Sequence, residues 1–71
     1  MNKLDFKPNE RTNILTAETE KFTYFITNAE DGCYQLNKHK VNSYPSISLG
    51  VFEYILEAVE MAEKDYNSEE N

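Results

Sequence analysis

The hydrophobic period of this chain changes once, near Glu53, and the change separates strand-forming from helix-forming sequence. Before it, apolar and polar residues alternate, most clearly in residues 22–27, where Phe22, Tyr24 and Ile26 share a face. After it, apolar residues recur with a helical period at Ile55, Ala58, Val59, Ala62 and Tyr66. We therefore predict strands followed by one amphipathic helix running from Glu53 to about Tyr66.

Three strands are expected before this helix. The first strand is expected at residues 22–27. Asp31 and Gly32 tolerate the positive φ of a tight turn, so they predict a hairpin between this strand and a partner strand at 33–37. Residues 38–45 are polar and are interpreted as a loop, and a third strand follows at 46–49. Gly50 ends its alternation.

These elements predict an α+β fold, with a three-stranded antiparallel sheet and the C-terminal helix packed on one face. Residues 1–12 are interpreted as an arm that is flexible or docks on the domain, 13–66 as a single β-β-β-α domain, and 67–71 as a disordered acidic tail. Residues 13–21 are either an irregular lead-in or a short edge strand. The sheet face expected to receive the helix comprises Tyr24, Ile26, Tyr34, Leu36, Ile47 and Leu49.

The net charge of −6 comes entirely from the last nineteen residues. Lys64 is the single cation there, and it faces seven acids: Glu53, Glu57, Glu60, Glu63, Asp65, Glu69 and Glu70. Such a local field repels nucleic acid and attracts basic surfaces, but acidic residues also keep small proteins soluble. Both interpretations stay open. The residues predicted to bind a basic partner are Glu53, Glu57, Glu60, Glu63 and Asp65.

Three apolar residues lie outside the buried stripe of the helix: Tyr54, Leu56 and Met61. If they are exposed, they form an apolar border that a second copy of the chain could cover. Small domains often gain stability by oligomerising, so these residues are predicted oligomer contacts. A homodimer is therefore the alternative to an acidic binding protein.

Enzymatic and metal-binding functions are not expected. His39 lies between two lysines with no carboxylate beside it in sequence, and Cys33 has no cationic neighbour to activate its thiol. The two residues are too few for a four-ligand metal site, so neither a metal nor a cofactor is predicted. The N-terminus lacks the apolar core of a signal peptide and no apolar run is long enough to span a membrane, so a cytoplasmic location is expected.

A third function is weak binding of single-stranded nucleic acid. Phe25 and Tyr44 could stack on bases while Lys38 and Lys40 contact phosphates. The net charge opposes it, because neutralising phosphates supplies most of the non-specific affinity. Direct nucleic-acid binding is therefore the least favoured of the three functions.

Residues 22–66 resemble a pattern found in small phage and prophage proteins. In that pattern a strand pair and a short third strand end in LGxF, here Leu49 to Phe52, and a helix follows with a motif like EAxxxAExDY, here 57–66. The same order of elements resembles the arm-binding domains of phage integrases and plant AP2 domains, which read DNA with basic residues that this sheet lacks. The phage resemblance implies a β-β-β-α fold and the cytoplasm of a host cell, and it implies no catalytic residue.

The leading expectation is accordingly a small, non-enzymatic, phage-type binding protein. Its acidic helix face would engage a basic surface of a host protein, such as a nucleic-acid-binding protein, as an inhibitor or nucleic-acid mimic does.

Overall fold

The part of the chain that the structure describes folds into one antiparallel sheet, with five strands in sequence order, and a C-terminal helix. The computed structural model describes residues 3–11, 14–43 and 45–69. The strands are β1 (Lys7–Pro8), β2 (Leu15–Glu18), β3 (Phe22–Asn28), β4 (Tyr34–Lys40) and β5 (Ser46–Phe52), and the helix is α1 (Ile55–Glu69). The predicted α+β class with an antiparallel sheet and a C-terminal helix is therefore confirmed.

The prediction of three strands is wrong, because two further strands precede β3. In β2, Leu15 pairs with Ile26 and the fully buried Ala17 pairs with Tyr24. This pairing shows that part of residues 13–21 is a strand rather than an irregular lead-in, although β2 is not at the edge of the sheet as the strand alternative supposed. β1 then adds two residues to the free side of β2, within the segment interpreted as an arm.

The hairpin between β3 and β4 forms where Asp31 and Gly32 predict it. Both residues have positive φ, 58° and 71°, inside a short 3-10 turn. β4 then continues to Lys40, so the first part of the predicted loop belongs to the strand. β4 pairs with β3 along the whole length of both strands, Phe22–Asn28 and Tyr34–Lys40.

A β-bulge divides β5. Gly50 is the partner of Leu36, but Ser48 is the partner of Asn37, so Leu49 is an extra residue in β5. The strand continues through Gly50, which has a φ of 136°. Ile47 was expected to face the core with Leu49, yet 58% of its surface is exposed, because it lies on the outer strand where the helix does not cover it.

The core lies between the helix and the inner strands. Its buried members are Tyr24, Ile26, Leu36, Ala58 and Ala62. The two alanines let the helix backbone approach the sheet closely, and Leu4 and Phe6 of the N-terminal segment pack against the same cluster. α1 extends past the predicted end at Tyr66 to Glu69, so only the end of the predicted acidic tail, residues 70 and 71, lies outside the described residues.

Candidate functional site

The outward side of α1 and the turn before it carry three exposed acids, Glu53, Glu57 and Glu60. Glu57 also stabilises the start of the helix, because its Oε1 accepts a hydrogen bond from the Tyr54 N–H at 3.2 Å. Lys64 is exposed and lies one turn after Glu60, a spacing at which opposite charges attract. These carboxylates are accessible to a partner that approaches the helix from solvent.

Asp65 differs from this group, because its side chain faces the sheet. One carboxylate oxygen, Oδ2, accepts hydrogen bonds from the Tyr24 hydroxyl at 2.8 Å and from the Lys38 ammonium at 2.7 Å. The physical reason is helical spacing: Asp65 follows the buried Ala62 by three residues and therefore lies beside the core stripe. The carboxylate is held inside the fold, so Asp65 does not belong to the outward acidic surface predicted from sequence.

Glu63 is also engaged within the fold. Its Oε2 accepts a hydrogen bond at 3.0 Å from the backbone N–H of Leu4, and the residue is half-buried. This contact joins the N-terminal segment to the helix, although the two residues are 59 positions apart in sequence. Of the five predicted partner-binding acids, the structure therefore leaves three exposed, Glu57 and Glu60 on α1 and Glu53 in the turn before it, and uses two as structural groups.

The sequence reasoning missed the structural role of Lys38, which it considered only as a possible phosphate contact. Only 7% of its surface is exposed, and its ammonium lies 4.4 Å from the centre of the Phe22 ring in addition to contacting Asp65. A signal was present, because Lys38 continues the alternation of Tyr34 and Leu36 onto the helix-facing side of β4. The interpretation of residues 38–45 as a loop ignored this alternation, because it ended the strand before Lys38.

The predicted oligomer contacts do not form one border. Tyr54 and Leu56 are 66% and 67% exposed, and Met61 is 36% exposed. Leu56 and Met61 are five residues apart, which places them about 140° apart around the helix axis. Leu56 is therefore separated from Met61 by the width of the helix, and a single flat partner surface cannot cover both.

The residues proposed for nucleic-acid binding are separated as well. Phe25 pairs with Asn37 on the sheet face away from the helix, whereas Lys38, the next residue of β4, points to the helix side. Lys40 is exposed at the end of β4, and Tyr44 lies outside the described residues. The stacking group and the buried cation thus cannot contact the same strand of nucleic acid.

Within the described part of the chain, His39 and Cys33 contact backbone carbonyl oxygens and an aromatic ring rather than a carboxylate or each other. The His39 ring lies 5.9 Å from the Phe25 ring, and its Nδ1 is 3.2 Å from the Lys40 carbonyl oxygen. Cys33 is half-buried, with its Sγ 3.9 Å from the Asp31 carbonyl oxygen. Among the residues that the structure describes, no three His, Cys, Asp or Glu side chains cluster in a way that could hold a metal ion.

In the described ranges, no helix is long and apolar enough to cross a bilayer. Comparisons with protein-family models, with curated protein sequences and with solved structures found no significant match. The resemblance to phage proteins therefore stays a prediction, and the functional argument depends on the geometry of this chain alone.

Proposed function

We propose that this chain is a small, non-enzymatic, acidic binding protein that engages a basic protein surface through the exposed acids of α1 and of the turn before it. We call Glu53, Glu57 and Glu60 the acidic ridge. The single observation that carries the proposal is that all three acids are exposed: Glu57 and Glu60 lie on the solvent side of α1, whose other side is buried, and Glu53 lies in the turn before it. In the phage setting that the sequence predicts, the partner is a host protein and the effect on it is inhibition or nucleic-acid mimicry.

The difference between the helix acids that contact the rest of the fold and those that face solvent supports this proposal. Asp65 and Glu63 have partners inside the fold, which explains why these two acids are present without invoking a ligand. The Glu60 carboxylate makes no hydrogen bond or close ion pair with another of the described residues. Glu57 could cap the helix equally well as glutamine, because an amide oxygen also accepts a hydrogen bond. The charge of the ridge is therefore in excess of what the fold requires.

The geometry of the ridge suits a basic surface. Glu57 and Glu60 are about 4.5 Å apart along the helix axis, so one patch of lysine and arginine side chains can contact both. Exposed charges of this kind change association rates and salt dependence more than they change the fold. The expected binding is consequently fast and weakened by salt.

The test is affinity capture from a bacterial lysate at low and high salt. A variant with Glu53→Gln, Glu57→Gln and Glu60→Gln removes the ridge charge but keeps the side-chain shape and the capping oxygen. The matched control removes the same number of charges from exposed acids outside the helix: Glu18→Gln, Glu20→Gln and Glu30→Gln.

The proposal predicts a partner that the wild type and the control retain at low salt and that the ridge variant loses. Capture of the same proteins by all three chains, undiminished at high salt, would show that the ridge charge has no part in binding.

A further inference from the structure

The two edge strands of the sheet, β1 and β5, differ in how well they are protected against pairing with a strand of another chain. β1 is two residues long, and it carries the charge of Lys7 and the ring of Pro8, which lacks an N–H. β5 is seven residues long, from Ser46 to Phe52, with no charged residue and no proline. As the last strand in the sheet order, β5 directs one row of its backbone N–H and C=O groups away from β4. Its bulge at Leu49 is its single protective feature among the residues described in that strand.

Apolar side chains flank this edge on both faces of the sheet. Ile47, 58% exposed, pairs with Lys38 and therefore lies on the helix side. Val51, 56% exposed, pairs with Gln35 and lies on the opposite side. The bulge between them causes this split, since two residues four apart in a regular strand share a face. A strand placed along β5 would cover both side chains at once.

We propose that β5 pairs antiparallel with β5 of a second copy, which forms a continuous ten-stranded sheet. The occupant is a second copy because the charges at the two ends of β5 complement each other under this symmetry. His39 pairs with Ser46, so Lys40 lies just past the start of β5, and Glu53 lies just past its end. Antiparallel pairing places the start of each strand beside the end of the other.

Glu53 of each copy then lies about two strand spacings, ~10 Å between backbones, from Lys40 of the other. Long side chains span that distance, and the two-fold symmetry makes the contact twice. A parallel arrangement would instead place Glu53 beside its own copy. Because the two-fold axis is perpendicular to the sheet, both helices lie on the same face, so Glu57 and Glu60 of the two copies are exposed on the same side of the dimer while Glu53 takes part in the contact between the copies.

The test is sedimentation equilibrium of the full chain over a range from about 10 to 500 µM, since a self-association is driven by concentration. The wild type is expected to approach twice the chain mass of 8.3 kDa at the highest concentration. Ile47→Lys places a charge at the seam, and we expect it to raise the dimer dissociation constant at least about tenfold. Leu56→Lys, at an apolar residue of the helix that is slightly more exposed than Ile47, is the control and leaves dimerisation unchanged.

A charge exchange tests the orientation of the two copies. Lys40→Glu alone weakens the dimer, and adding Glu53→Lys restores it, because the pair is re-formed with its signs reversed. Circular dichroism of each variant separates loss of pairing from loss of folding. A wild type that is monomeric at about 500 µM overturns the proposal. So does a dimer that survives Ile47→Lys but is lost in Leu56→Lys, since it would be joined through the helix.

Discussion

At the scale of single residues, the Asp65 carboxylate connects the helix to two strands. It accepts hydrogen bonds from Tyr24 in β3 and Lys38 in β4, and the Lys38 side chain is only 9% exposed. A buried ammonium that loses its counter-charge is costly, whereas a solvated surface pair contributes little. We therefore expect the Lys38–Asp65 contact to contribute more to the stability of the fold than an exposed ion pair would.

We expect Asp65→Asn to lower the free energy of unfolding by about 2–3 kcal/mol, somewhat below the usual cost of breaking a fully buried pair because Asp65 is partly exposed. Glu60→Gln on the exposed side of the same helix is the control, with an expected change within about 0.5 kcal/mol. Urea denaturation measures both. Equal, small effects would mean that the Lys38–Asp65 pair behaves as a solvated surface contact.

The two glycines give a second residue-scale prediction. Gly50 has a φ of 136°, and a Cβ placed there would lie 3.2 Å from the Phe52 ring, whereas a Cβ at Gly32 would meet nothing within 4 Å. Gly32→Ala should cost about 1 kcal/mol for its left-handed backbone. Gly50→Ala should cost more, about 2–3 kcal/mol, because its conformation is nearly exclusive to glycine. Thermal unfolding compares them, and the reverse order would contradict the described bulge.

At the scale of elements, the position of α1 on the sheet depends on two small side chains. Ala58 and Ala62 are fully buried against the core, so no space is left for a longer side chain. Ala58→Leu is expected to destabilise the protein by about 1–3 kcal/mol through overpacking. Leu56→Ala, at a 67% exposed residue of the same helix, should change stability by no more than about 0.5 kcal/mol. Unfolding curves that rank the two variants the other way would mean that the helix lies on a different face.

The elements also differ in how far sequence could predict them. The change of period predicts the helix, its buried alanines and the β3–β4 hairpin, because each depends on residues close in sequence. β1 and β2 are short, and they are stabilised by pairing with a strand that follows them, so their own residues carry a weak signal. The bulge at Leu49 likewise depends on alignment with β4, which local alternation cannot show.

The same distinction applies to the candidate site. Sequence identifies the acids of the helix, and helical spacing separates the buried stripe from the outward side. It does not reveal that Asp65 is paired, because its partner Lys38 is distant in sequence and belongs to a segment interpreted as a loop. Glu63 was likewise grouped with the outward acids, since its contact with Leu4 joins opposite ends of the chain.

At the scale of the whole molecule, the charge distribution opposes nucleic-acid binding. The net charge is −6, and Phe25 and Lys38 lie on opposite faces of the sheet. We expect a fluorescent single-stranded oligonucleotide to show no change in anisotropy up to about 100 µM protein at low salt, within the range where non-specific binders are detected. Binding that weakens with salt and disappears in Phe25→Ala would contradict this expectation.

The most direct measurement of the central claim is the affinity of a synthetic lysine- and arginine-rich peptide at low and at physiological salt. The account predicts that the wild type and the Glu18, Glu20 and Glu30 variant bind alike, with affinity that falls as salt rises. It predicts that the variant of the acidic ridge loses most of this binding, although both variants have lost the same charge. Equal losses in the two variants would contradict the account, because they would show that general acidity, and not a directed helix surface, attracts the basic partner.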